Sequence, residues 1–324
     1  MILSPVCGEL IPGSTPLLSF INPVVLIYFI TFYGAGAVIT REVARRQGLG
    51  WAGIVLLGAA YGVLEEGLTV TSWFNPHWPG VIFMGTYGRS FDTSWVWAAQ
   101  LTPYHAIISI TTPIVVVERL FPSLATTPWL GQRGLRRMIW VLGISSAVSL
   151  AAFGFISFRQ QGYSHPPPAW FVALAIAAGL VWLALRQHDF RRTEATSGRR
   201  PPRLWSLRAF ALIATALVCF SAWSGPHLVP APVAVAIIAI TLATAAWKVS
   251  TWSRRPGWGT DHAYALASGT LLLFVFGAPI GQPHARPEAI AVAFVALVGL
   301  IILSRLKAPV SAQAEPADRL LGRV

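Results

Sequence analysis

Nine stretches of this 324-residue chain are each long and apolar enough to cross a bilayer. A membrane-crossing helix needs about 20 mainly apolar residues, because without water each backbone N–H and C=O must be paired inside the helix. On that rule the spans fall at about 17–39, 51–73, 95–117, 138–158, 168–186, 207–225, 229–249, 260–280 and 288–304. Charged residues make up only 11% of the chain, where a soluble domain carries about 25%. The expected fold class is all-α: a polytopic integral membrane helical bundle of nine transmembrane helices.

A net charge of +12 would point to nucleic acid if it formed one patch on a soluble fold. Here the basic residues follow the loops instead. Of 24 lysines and arginines, all but Arg89, Arg159 and Arg286 lie in alternate loops or the tail. Arg41, Arg45 and Arg46 mark the first loop, and Arg119, Arg133, Arg136 and Arg137 the third. Such an asymmetry sets orientation. The amino terminus is expected outside and the carboxyl terminus in the cytoplasm of a multi-pass cell-membrane protein. Its partner is the lipid bilayer, and no nucleic acid is expected.

Residues 187–206 form the most basic stretch and read as a cytoplasmic linker, with a second reading as a binder of anionic lipid. The linker separates a five-helix region, 1–186, from an apolar four-helix region with a tail, 207–324. Trp51, Trp73, Trp95, Trp140, Trp170, Trp205, Trp223 and Trp247 lie near proposed span ends, as an interfacial aromatic belt would place them. Cys7 and Cys219 make neither a disulfide framework nor a metal pair. The first residues lack a positive region and contain Pro5, Pro12 and Pro16, so a cleavable signal peptide is not expected.

The chemistry concentrates in the second and third spans, because Glu65 and Glu66 interrupt an otherwise apolar stretch. A carboxylate at mid-membrane costs about 2.5–3.5 kcal/mol on insertion scales, so a consecutive pair needs a compensating reason. By helical rise Glu65 lies roughly 21 Å along its span from Trp51, and His105 roughly 18 Å from Val117 on the returning span. Carboxylates and imidazole therefore reach similar depths. Tyr61, Glu65, Thr69 and Ser72 share one helix face, and Thr102, His105, Ser109 and Thr112 another. Adjacent residues diverge by about 100° on a helix, so Glu65 is expected as the reactive carboxylate and Glu66 as a helix tether or an orienter of His105.

Gly58 and Gly62 make a Gly-xxx-Gly step that permits close helix approach, with Gly34 and Gly36 in the first span. Pro103 and Pro113 are expected to distort the third span and free carbonyls beside His105. The loop 74–94, with Asn75, His77, Arg89 and Asp92, could be a mouth or lid. His77 is expected roughly 15 Å above the glutamates. No His-Glu-x-x-His and no spaced Cys/His cluster occurs, so neither a metal nor another cofactor is expected.

Glu65-Glu66 in one span and His105 in the next resemble the first two motifs of the CPBP family, the CAAX-protease and bacteriocin-processing (Abi-type) intramembrane proteases. The resemblance covers about 50 residues. It implies Glu65 as the base activating water, His105 as its partner and Glu66 as the motif's second glutamate. It also implies a membrane-embedded peptide or lipid-modified substrate. The chain departs from the pattern at Val70, where the family has arginine, and at Leu101, where it has phenylalanine. Its only asparagines are Asn22 and Asn75, so the late His-x-x-x-Asn is absent, and Tyr61 or Arg89 would have to replace it.

Three functions accommodate these residues. The first is an intramembrane, peptidase-like hydrolase using Glu65, Glu66 and His105. The second is a transporter or proton-coupled carrier in which the same groups bind a cation or proton. The third is a non-catalytic scaffold whose polar pair holds helices together.

Overall fold

The computed structural model describes residues 1–79, 81–187, 200–281 and 286–306. Most of the expected linker, 188–199, and the tail after residue 306 lie outside the described residues, so Arg191, Arg192, Arg199, Lys307, Arg319 and Arg323 are not placed. Among the described residues nine helices are long and apolar enough to cross a membrane. They are Pro23–Arg46, Trp51–Thr69, Trp95–Leu120, Gln132–Gln161, Pro168–Leu185, Leu204–Trp223, Ala231–Ser253, Thr260–Gly281 and Pro287–Arg305. The all-α polytopic class is therefore correct, with span ends displaced by several residues.

Each displacement has a local cause. The first span starts at Pro23 because the Asn22 side chain caps it, accepting from Val24 N at 3.0 Å, with proline at the first helical position. It continues past residue 39 because its polar end is internally paired. Glu42 accepts from the backbone N–H of Trp129 (2.8 Å) and Leu130 (3.1 Å). Arg45 donates from Nε to Glu118 at 2.8 Å, and Arg41 reaches the carbonyls of Leu124 and Thr127. The Thr40–Arg46 block thus forms an ordered edge of the bundle.

Packing grades the spans. The second, third and eighth are the most buried, and the fourth, seventh and ninth expose most of their surface. The second span packs on the first, third and fifth. The third packs on the eighth, which carries the sixth and ninth. Carboxyl-terminal spans thereby support the helix that carries His105. Arg119 pairs with Asp261 and donates to the carbonyls of Leu303 (3.1 Å) and Leu306 (3.0 Å), tying the third, eighth and ninth spans together.

Two outer features differ from the sequence reading. Trp73 is buried in an apolar cluster with Phe74, Val81, Met84, Val96 and Trp97 instead of standing in an interfacial belt. The same cluster makes the loop 74–94 a packed cap. Buried Asn75 donates to Ser157 (3.2 Å) and Gln161 (2.7 Å) of the fourth span, and a two-stranded hairpin, Arg89–Ser90 with Thr93–Ser94, closes the loop.

The amino-terminal residues are the largest departure. Residues 3–10 form a short helix that re-enters the bundle between the first, third and eighth spans. Cys7 packs against Ile108 and Leu271, and Ser4 is buried. A lipid-facing broken helix would strand its backbone groups, but one enclosed by protein does not. The Ser4 hydroxyl lies 2.6 Å from the Ser109 carbonyl and 3.1 Å from that of Tyr33. Proline at position 113 cannot donate to the Ser109 carbonyl four residues back, so Ser4 fills the gap that Pro113 opens.

Candidate functional site

Gly58 and Gly62 set the site by bringing the second and third spans into backbone contact. A Cβ at Gly58 would stand 2.9 Å from the Ala106 carbonyl oxygen. At Gly62 it would stand 2.9 Å from the Cβ of His105. Gly36 lies equally tight against the Tyr61 ring, and Gly34 against Met1. The imidazole therefore sits directly on the second span, beside both glutamates.

His105 is held on both ring nitrogens. Its Nε2 lies 3.0 Å from Glu66 Oε1, close enough for a hydrogen bond between ring and carboxylate. The other Glu66 oxygen accepts from the Ser72 hydroxyl, and that hydroxyl accepts from Trp97 Nε1 at 2.9 Å. On the far side Nδ1 has the Ser109 hydroxyl at 3.2 Å and Glu65 Oε2 at 3.0 Å. Only Ser109 is aligned for a hydrogen bond, and Glu65 Oε2 is buried without a partner. All three residues are less than a tenth exposed.

Thus the expected trio is brought together, but by a different local geometry. An ideal α-helix would turn Glu66 away from the Glu65 face. Instead residues Leu64–Thr69 form a π-helical segment, with Val70 N bonded to Glu65 O at 2.8 Å. The wider turn lets the two carboxylates flank one ring. Ser72 also leaves the expected stripe. The helix ends at Thr69, and Thr71 takes a left-handed conformation (φ 62°) that folds Ser72 back onto Glu66. For a β-branched residue that conformation costs about 1–3 kcal/mol, which the Glu66–Ser72–Trp97 chain helps to offset. Thr69 and Thr102 bond only to carbonyls of their own helices, Glu65 and Ala98. Thr112 is buried without a partner.

Four π-helical segments occur among the described residues: Val6–Leu10, Ile30–Gly34, Leu64–Thr69 and His105–Thr111. All four meet here. Such bulges appear often at functional sites, where they re-aim side chains. The first two bring in groups that the sequence reading did not assign. Tyr33 lies with its ring 6.1 Å from His105 and donates from its hydroxyl to Glu9 at 2.5 Å. Thr15 donates to the other Glu9 oxygen at 2.7 Å. A lone acid within an apolar amino-terminal run was the available signal for Glu9.

Of the two expected substitutes for the missing asparagine, Tyr61 is present, its ring 6.5 Å from His105 and its hydroxyl buried and unpartnered. Arg89 is not. It donates to the Phe74 carbonyl at 2.7 Å in the outer cap. Donor atoms of Glu65, Glu66 and His105 lie within 4.8 Å of one another, a spacing a cation could use. In the observed arrangement the imidazole itself fills the gap between the carboxylates.

These features define a polytopic α-helical membrane protein with a carboxylate–imidazole centre enclosed by broken helices. The chain belongs to a family described as an uncharacterized membrane protein family, which matches residues 1–317. No curated protein and no solved structure matches it.

Proposed function

We propose that the chain is an intramembrane hydrolase, a peptidase-like relative of the CPBP proteases, working in the cell membrane on a membrane-embedded peptide or lipid-modified substrate. The observation that carries this reading is the unequal treatment of the two glutamates. Both Glu66 oxygens are engaged, so Glu66 orients His105. Glu65 Oε2 stands 3.0 Å from the imidazole with no aligned hydrogen-bond donor. A buried carboxylate with an unused acceptor position can take a proton from water and pass it to the leaving group through His105. Tyr61 offers a buried hydroxyl beside the cluster for the developing oxyanion.

Glu65→Gln keeps the shape but cannot accept that proton. The variant should fold like the parent and lose turnover of a membrane-embedded peptide reporter, followed by mass spectrometry. Glu65→Leu should in addition cost about 1–3 kcal/mol in detergent, since neighbouring polar groups lose their acceptor. Full turnover in Glu65→Gln would reject Glu65 as the base.

One observation favours the carrier reading: a re-entrant helix and interrupted spans meeting at a buried polar point are features of transporter binding sites. For a carrier, Glu65→Gln would still bind substrate and lose its pH dependence.

A further inference from the structure

Glu9 stands beside the cluster without a part in the proposed hydrolysis. It is half-buried on the re-entrant helix, and both of its oxygens are engaged, by Thr15 on one side and Tyr33 on the other. Thr15 also lines a crevice with Leu10, Gly13, Pro16, Leu17 and Glu288. The crevice holds about 10 Å³, room for roughly one water. Tyr33 bonds Glu9 through its hydroxyl, and its ring stands 6.1 Å from the His105 ring. A partly exposed carboxylate is thus linked to a surface crevice through Thr15 and to a buried ionisable cluster through Tyr33.

We propose that Thr15, Glu9 and Tyr33 form a proton route between that crevice and the Glu65–His105 cluster. In the inward step, a proton from crevice water goes to the Thr15 oxygen while the Thr15 O–H gives its own to Glu9, which regenerates Thr15. Glu9 then gives its proton to the Tyr33 oxygen while the Tyr33 O–H, rotated inward, gives its own to Glu65. One proton moves from Glu9 to Glu65, and Tyr33 is regenerated. The outward step is the reverse. The groups facing Glu9 are Thr15 of the turn that follows its helix, Tyr33 of the first span, Tyr104 and His105 of the third and Glu66 of the second, with Glu288 of the ninth across the crevice. Tyr104 is committed to the Gly8 carbonyl, so it fixes the re-entrant helix and leaves Tyr33 as the conducting hydroxyl. The inference requires that the cluster exchange protons, and holds for a hydrolase or a carrier.

The test is the exchange rate of the His105 ring N–H with water in the full-length, ¹⁵N-histidine-labelled protein in lipid nanodiscs. The chain has seven histidines, and the signal absent from His105→Gln identifies the right one. Tyr33→Phe and Glu9→Gln should each slow exchange by roughly tenfold or more. Tyr28→Phe removes a hydroxyl bonded to Ser149, off the route, and should leave the rate unchanged. A wild-type or faster rate in Tyr33→Phe overturns the route, and so does equal slowing by Tyr28→Phe. If Glu9→Gln fails to fold, Thr15→Val must slow exchange with the Glu9–Tyr33 pair intact, and an unchanged rate there also overturns it. Loss of turnover in Glu65→Gln alongside unchanged exchange in Tyr33→Phe would leave the hydrolase reading standing and remove this one.

Discussion

Adding one methyl group at three glycines tests whether helix contact holds the site. At Gly58 the new Cβ meets backbone, 2.9 Å from the Ala106 carbonyl oxygen and 3.0 Å from its Cα. Backbone of a packed span cannot swing aside, so the spans must separate or lose local packing. At Gly62 the obstacles are His105 Cβ at 2.9 Å and Thr102 O at 3.3 Å. Gly179, on the fifth span, has nothing within 4 Å. Overpacking costs about 1–3 kcal/mol, whereas glycine to alanine in an open helix gains about 0.5–1 kcal/mol. Gly179→Ala should therefore be neutral or stabilising. Gly58→Ala and Gly62→Ala should each lose about 1–3 kcal/mol, because a Cβ is held by its own backbone and cannot swing aside either. Thermal or denaturant unfolding in detergent gives the order, and the His105 ring signal reports whether the glutamates have moved. Equal stability of Gly58→Ala and Gly179→Ala would refute the argument that backbone contact between these spans positions the cluster.

Other perturbations follow from the same contacts. Ser72→Ala leaves Trp97 Nε1 without an acceptor and one Glu66 oxygen without a donor, so it should cost about 1–3 kcal/mol in an unfolding titration. Glu118→Ala strands the Arg45 guanidinium and leaves Arg41 with Glu42 as its one carboxylate, and should cost about 3–5 kcal/mol, more than any exposed ion pair such as Arg89–Asp92. His165, in the turn between the fourth and fifth spans, has its pKa lowered to about 4 by burial against Phe74 and Trp170. The unfolded chain binds a proton there near pH 6.5 and the folded protein does not, so stability should fall as pH drops from about 6.5 toward 4. Because His165 is only half-buried, the loss should be roughly 1 kcal/mol, and His165→Gln should abolish it.

Much was determined by the sequence alone. Nine spans were legible because lipid leaves no alternative to long apolar helices, a demand that each stretch must satisfy locally. Matched depth of Glu65 and His105 was legible from helical rise, and close approach of their helices was permitted by the glycines at 58 and 62. Which faces the side chains finally take was decided by the tertiary structure. Glu66 reaches the same ring as Glu65 because the helix widens there, and Ser72 returns to Glu66 because Thr71 reverses the chain. Neither follows from a fixed 100° per residue. The re-entrant segment was hidden for a related reason. Residues 3–10 are too short to span, and the bonds that hold them, Ser4 to the Tyr33 and Ser109 carbonyls and Tyr104 to that of Gly8, exist only after the bundle has formed. Periodicity describes a helix against a uniform solvent, and these residues are held by partners up to about a hundred positions away in the chain.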